Sequence, residues 1–160
     1  MKKIYLLRHA KAEKEAADDF SRRLSKKGKE ELKLLFERLK KHDLSLDKIF
    51  ASPAKRTQST AEKLAKFYAL EDKIEFVDGL YEQDAGEIFE WILGLSAGLE
   101  NVLIVGHNPA LLELSELLST LCLTSFPTAS MLGLEFELDD FKGLEKHSGR
   151  LVFFEHIKPL

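Results

Sequence analysis

The chain has 160 residues, 44% of them hydrophobic and 32% charged, with a formal net charge of −3. These values fit one globular domain over residues 1–160, long enough for a sizeable core. They give no basic footprint, and no apolar run reaches membrane-spanning length, so neither nucleic acid nor a membrane is an expected partner.

Ile4-Tyr5-Leu6-Leu7 predicts a buried strand that stops abruptly on Arg8 and His9. The few apolar residues between Lys3 and Arg8 are too short for a signal-peptide core, and a cytoplasmic location is expected. The charged stretch Lys11–Arg23 has no period and reads as a loop over the strand end. Leu32, Leu35, Phe36 and Leu39 mark one face of a helix. Lys48-Ile49-Phe50-Ala51 predicts a second strand, running into Ser52-Pro53-Ala54-Lys55-Arg56. Ala61, Leu64, Ala65 and Tyr68 mark a second helix, and Ile74–Val77 a short strand. Asp84 and Glu87 have capping-box spacing ahead of Ile88, Phe89, Ile92 and Leu93. Val102–Val105 predicts a further strand, ending at Gly106-His107-Asn108-Pro109. There Asn108 is expected as the N-cap and Pro109 as the first residue of a helix through Leu118. Leu132–Leu138 and Leu151–Ile157 are expected to form an antiparallel pair. Cys122 stands alone, which excludes an internal disulfide, fits a reducing compartment and reads as a small buried hydrophobe.

Alternating strands and helices predict an α/β domain on a largely parallel sheet. Ligands of such sheets bind beyond the carboxyl ends of the strands. Arg8, His9, Ser52, Arg56 and His107 all fall there. Phosphoryl transfer needs an in-line nucleophile and fixed positive charge around three oxygens. Neutral imidazole at His9 meets the first need without a metal. Arg8 and Arg56 would clamp oxygens, with His107 a further donor, as a cation in the complex. No cofactor is expected, and His42, His147 and His156 lack metal-ligand spacing. Other phosphatase chemistries lack their signatures: no Cys-x5-Arg pattern follows Cys122, since position 128 is Thr, and no phosphate-binding glycine loop exists.

Leu7-Arg8-His9-Ala10 resembles the Arg-His-Gly signature of the histidine phosphatase superfamily, also called phosphoglycerate mutase-like. Ser52–Thr57 and Gly106–Pro109 resemble its second and third motifs. The short length and Asp19–Gly28 make the chain most similar to the SixA-type phosphohistidine phosphatases. The resemblance implies a three-layer α/β/α sandwich, mostly parallel with one antiparallel strand. It also implies a phosphoryl group carried on His9, with Arg8, Arg56 and His107 completing the pocket. Ser52 is expected to bind substrate. Arg22 falls where SixA-like proteins have an arginine near the substrate; it or Arg23 is otherwise a solvated loop charge. Ala10 replaces the usual glycine and is expected to keep φ below zero.

The proton donor is the open position. Larger relatives place an acidic residue in mid-chain, and Glu82 in Leu80-Tyr81-Glu82 is the candidate. An ester leaves as an alkoxide and strongly needs an acid, whereas phosphohistidine leaves through a far more basic nitrogen. The expected reaction is therefore hydrolysis of phosphohistidine on a protein such as a phosphotransfer domain or a phosphocarrier. The alternatives are a small-molecule phosphomonoesterase in the same pocket and a non-catalytic phosphoprotein-binding module. Pure binding has no use for a nucleophile.

Overall fold

The computed structural model describes residues 1–160. Ile4 through Leu7 are all buried because strand β1 (Lys2–Arg8) carries a helical layer on each face. Ile4 and Leu6 pack with one core, Tyr5 and Leu7 with the other, as the two-residue period of a strand requires. Helices α1 (Lys26–Leu39) and α2 (Lys55–Tyr68) supply the core that holds Tyr5 and Leu7. Leu32, Leu35, Phe36 and Leu39 pack there from α1, and Ala61, Leu64 and Ala65 from α2. The opposite core is built by α3 (Gly79–Glu82), α4 (Ala85–Leu93) and α5 (Ala110–Leu118), through Leu80, Ile88, Ile92, Leu111 and Leu114.

The remaining strands are β2 (Lys48–Ala51), β3 (Ile74–Phe76), β4 (Asn101–Gly106), β5 (Ser130–Phe136) and β6 (Arg150–His156). Their order is β3-β2-β4-β1-β5-β6. β3, β2, β4 and β1 are mutually parallel, and β5 pairs antiparallel with both β1 and β6. β5 alone opposes the others. The expected three-layer sandwich with one antiparallel strand is the fold observed.

The capping box at α4 is formed, with Asp84 Oδ1 accepting from Glu87 N and Glu87 Oε1 from Asp84 N. Ala10 is not among the residues with positive φ. Two expectations are corrected. α5 begins at Ala110, and Asn108 does not cap it. Its side-chain amide instead donates to the Phe126 carbonyl at 2.8 Å, a tertiary acceptor that competes successfully with the helix terminus. Cys122 is exposed, not buried, because residues 120–129 form an irregular crossing between α5 and β5.

Candidate active site

The sheet register brings three strand ends side by side: Arg8 pairs with Gly106, and Ala51 with Val105. The ladder continues one residue further, with His9 N donating to Gly106 O and Ser52 N to Val105 O. Arg8, His9, Arg56 and His107 consequently line one cleft of ≈ 340 Å³ together with Arg22. The first turn of α2 brings in Arg56.

His9 is 7% exposed, and its Nδ1 lies 2.8 Å from the Ala10 carbonyl oxygen. A carbonyl only accepts, so Nδ1 carries the proton and Nε2 keeps the lone pair. Burial pushes the ring's pKa down to about 3, with His107, Arg56 and Arg8 adding to that push and the Ala10 carbonyl opposing it. The imidazole is thus neutral and nucleophilic at neutral pH.

His107 lies beside it, ring centroids 5.3 Å apart. Burial, with Arg56 and Arg8 assisting and Asp19 opposing, lowers its pKa to about 4. Its Nε2 is 2.8 Å from Ser52 Oγ, which also accepts from Ala54 N. The single hydroxyl proton of Ser52 is therefore free to go to Nε2, leaving Nδ1–H as the donor of a neutral ring. Ser52 itself is fully buried behind His107 and is absent from the cleft wall. The sequence places Ser52 among the substrate-binding residues; the structure makes it the residue that orients His107.

Arg56 is held from its outer side. Nη1 donates to the Asp19 carbonyl at 2.8 Å and Nη2 to Asp19 Oδ2 at 3.0 Å. Asp19 also accepts from Tyr81 Oη at 2.7 Å and from Arg22 Nη1 at 3.2 Å. The Tyr81 hydroxyl first, and the two guanidinium groups with it, hold the Asp19 carboxyl down to about 2. On the other wall Arg8 Nη1 donates to the Phe126 carbonyl, at 3.1 Å. Burial, with Arg56 adding, lowers the Arg8 pKa. What remains is a set of buried donors with no partner in the protein: Arg8 Nε, Arg56 Nε and His107 Nδ1. A buried polar group without a partner costs about 1–3 kcal/mol. All three belong to residues that line the same cleft, where converging donors suit an oxyanion.

The other sequence candidates separate cleanly. Arg22 lines the cleft, tied by Nε to the Glu13 carbonyl at 2.9 Å, whereas Arg23 is exposed. Glu82 is exposed at the end of α3, makes no side-chain hydrogen bond and does not line the cleft. Its neighbour Tyr81 faces the site instead, packing edge-on against His107 at 5.5 Å. Sequence reasoning missed Asp19, Tyr81 and Thr60, whose Oγ1 accepts from Ala10 N at 3.2 Å. The one available signal for Thr60 was its helical spacing of four from Arg56, whose carbonyl its hydroxyl bonds.

The chain matches the model of the histidine phosphatase superfamily (branch 1) over residues 4–92. It is 32% identical over 120 residues to a phosphohistidine phosphatase SixA homolog of Haemophilus influenzae, covering 69% of this chain and 73% of that one. It is 27% identical over 108 residues to phosphohistidine phosphatase SixA of Escherichia coli, covering 66% and 67% of the two chains. Its fold superposes on a structure of the protein histidine phosphatase SixA complexed with tungstate, with TM-score 0.83, 22% identity and 96% of each chain covered.

Proposed function

The chain belongs to the histidine phosphatase superfamily, and from that premise we propose that it hydrolyses phosphohistidine on a protein, with His9 carrying the phosphoryl group. The lone pair of His9 Nε2 attacks phosphorus as the bond from phosphorus to the substrate imidazole breaks. The departing nitrogen takes the bonding pair, and its ring, already protonated on the distal nitrogen, leaves as neutral imidazole. Water then attacks phosphorus on His9, the second P–N bond breaks with its electron pair returning to Nε2, and inorganic phosphate departs carrying both hydrogens of the water. Arg8, Arg56 and His107 hold the oxygens throughout. An arriving dianion favours the cationic form of His107, and Ser52 Oγ then accepts from Nε2. One protein that shares the fold, a protein histidine phosphatase SixA, is complexed with tungstate, itself a tetrahedral oxyanion.

The state of the carboxylates carries the choice of substrate. Asp19 is kept ionised by three donors, and Glu82 stands outside the cleft. Neither is placed to hand a proton to an alkoxide, and phosphohistidine does not require one. A direct comparison tests this: kcat/KM for a phosphohistidine peptide is expected to exceed that for phosphoserine by roughly 10² or more, the size of a general-acid contribution. Faster turnover of the phosphomonoester would overturn the assignment in favour of a small-molecule phosphatase.

A further inference from the structure

The mouth of the cleft is built asymmetrically. Arg8, Lys11, Lys14, Arg22 and Arg56 line it, and no carboxylate does, although the whole chain has a net charge of −3. The loop over the strand end carries both signs, yet it sorts them. Lys11, Lys14 and Arg22 face the cleft, Glu13, Glu15 and Asp18 of the same loop are exposed and absent from its wall, and Asp19, the one acid of the loop that reaches the site, is taken up by Arg22 and Arg56. Lys11 and Lys14 are exposed and engage no carboxylate in an ion pair. The sorting is fixed by backbone contacts. Ser25 N and Oγ both donate to the Lys11 carbonyl, and the N-terminal turn of α1 approaches it so closely that a Cβ on Gly28 would lie 2.1 Å from that oxygen. Glu13 N donates to the Arg23 carbonyl at 2.7 Å, pinning the other side of the loop.

An apolar element adjoins this charge. Phe20 is 40% exposed yet held in place: its carbonyl accepts from Lys55 N, and its ring packs edge-on against Tyr81 at 5.2 Å. Phe20, Tyr81, His107 and His9 form a file of rings with centroids 5.2, 5.5 and 5.3 Å apart, running from the outer surface to the nucleophile. Through Tyr81 and Asp19 this aromatic is tied to Arg22 and Arg56 of the cleft wall, and a positioned, exposed aromatic on the same side of the molecule as a cationic wall is the make-up of a protein contact, the aromatic anchoring and the charges orienting.

Resting on the phosphohistidine reading, we propose that this mouth docks the acidic face of a phosphoprotein, with Lys11 and Lys14 reading carboxylates that flank the phosphohistidine and Phe20 seating the apolar part of the contact. A phosphoryl group needs only the inner donors. The outer lysines therefore select what surrounds it.

The test uses two peptides of equal length, each phosphorylated on a single histidine, one flanked by Asp and Glu and the other by Ser and Gly. At about 20 mM salt the acidic peptide is expected to show a kcat/KM roughly tenfold higher, a margin that narrows at about 200 mM as exposed charges are screened. The double variant Lys11→Glu/Lys14→Glu is expected to abolish or reverse the preference, and Lys11→Gln/Lys14→Gln to reduce it. Lys142→Glu removes one exposed cation beside Phe141, near the amino end of β1, and is expected to leave the preference intact. Equal turnover of both peptides, or a preference that survives the double variant, would overturn docking while leaving the hydrolase assignment standing. Turnover of neither would overturn both. Inhibition by a single-stranded oligonucleotide as strong as by an unphosphorylated acidic peptide would overturn the commitment to a protein partner.

Discussion

The cleft and the antiparallel flank use the same residue types to opposite ends. On the flank, His42 Nε2 and Lys41 Nζ both meet Glu155 Oε1, at 3.0 and 2.9 Å, and Arg150 meets Glu135 at 2.9 Å. His42 also stacks on Phe153 with ring centroids 4.2 Å apart. Burial alone would raise the Glu155 pKa, but His42 and Lys41 draw it down. Each charge there is answered by another part of the same chain. At the cleft the cations face one another: Arg8 and Arg56 each depress the imidazoles between them, and three of the donors find nothing to bond. The lesson is that histidine and arginine become chemistry only where the fold withholds their partners.

Removing one residue from each region separates the two. His9→Ala is expected to lose all phosphoryl capture, read as the absence of a phosphoryl mass increment after incubation with phosphoramidate; an unmodified wild type would instead favour a pure binding module. Arg8→Ala, Arg56→Ala and His107→Ala should each lower kcat/KM roughly 10²–10³-fold, the cost of losing a preorganised donor. His42→Ala, on the flank, should change it less than about twofold, in line with surface substitutions away from a site. A comparable loss at His42 would erase the distinction.

Smaller effects fall on the residues that aim the donors. Asp19→Ala removes the carboxylate tether of Arg56 and keeps only the main-chain one, and Ser52→Ala frees His107. Each is expected to reduce kcat about tenfold with a smaller change in KM, as loosened supporting shells do. Asp19→Asn retains a side-chain acceptor and should recover part of the loss. Equal loss in the Asn and Ala variants would show that the Asp19 charge matters more than its geometry.

Acid titration sharpens the same contrast through stability. In the folded protein His9 and His107 titrate at about 3 and about 4, against 6.5 for the unperturbed side chain. Below 6.5 the unfolded chain therefore binds more protons than the folded one, so stability is full above that pH and falls as pH drops through this window. Denaturation midpoints at pH 7 and pH 5 should show a decline that is shallower in His9→Leu. An equal decline would mean that His9 is not held neutral by its surroundings. The least effect of all is expected from Glu82→Gln, under about twofold on either phosphohistidine or ester; loss of ester hydrolysis alone would restore Glu82 as the proton donor.

The fold and the inner donors were legible in the sequence because both follow from short-range rules. Apolar runs that stop on Arg8-His9, Ser52 and Gly106-His107 mark strand ends, and parallel strands gather their carboxyl ends at one edge of the sheet. Asp19 and Tyr81 were not legible. The contact of Asp19 to Arg56 spans 37 residues and that of Tyr81 to Asp19 spans 62, and the loop that carries Asp19 has no period to betray which way each charge turns. Asn108 misled for a related reason: Asn-Pro is a strong local helix signal, and only the tertiary Phe126 carbonyl draws the amide away. Ser52 was found in the right place with the wrong task, since spacing reports position along a strand end and not depth behind a neighbour.

The segment that crosses from α5 to β5 has a consequence for how such a chain can change length. The Phe126 carbonyl receives both Arg8 and Asn108, and Ala129, in the left-handed region at φ 55°, donates its N–H to the His9 carbonyl at 3.2 Å. Three residues of the chain's most demanding geometry are thus gauged by one stretch of main chain. An inserted or deleted residue between Thr124 and Ala129 would displace that gauge and silence the protein with every side chain of the cleft still present. The connection between β5 and β6 touches none of these groups, and its own anchors, Phe141 and Leu144, answer only to the core.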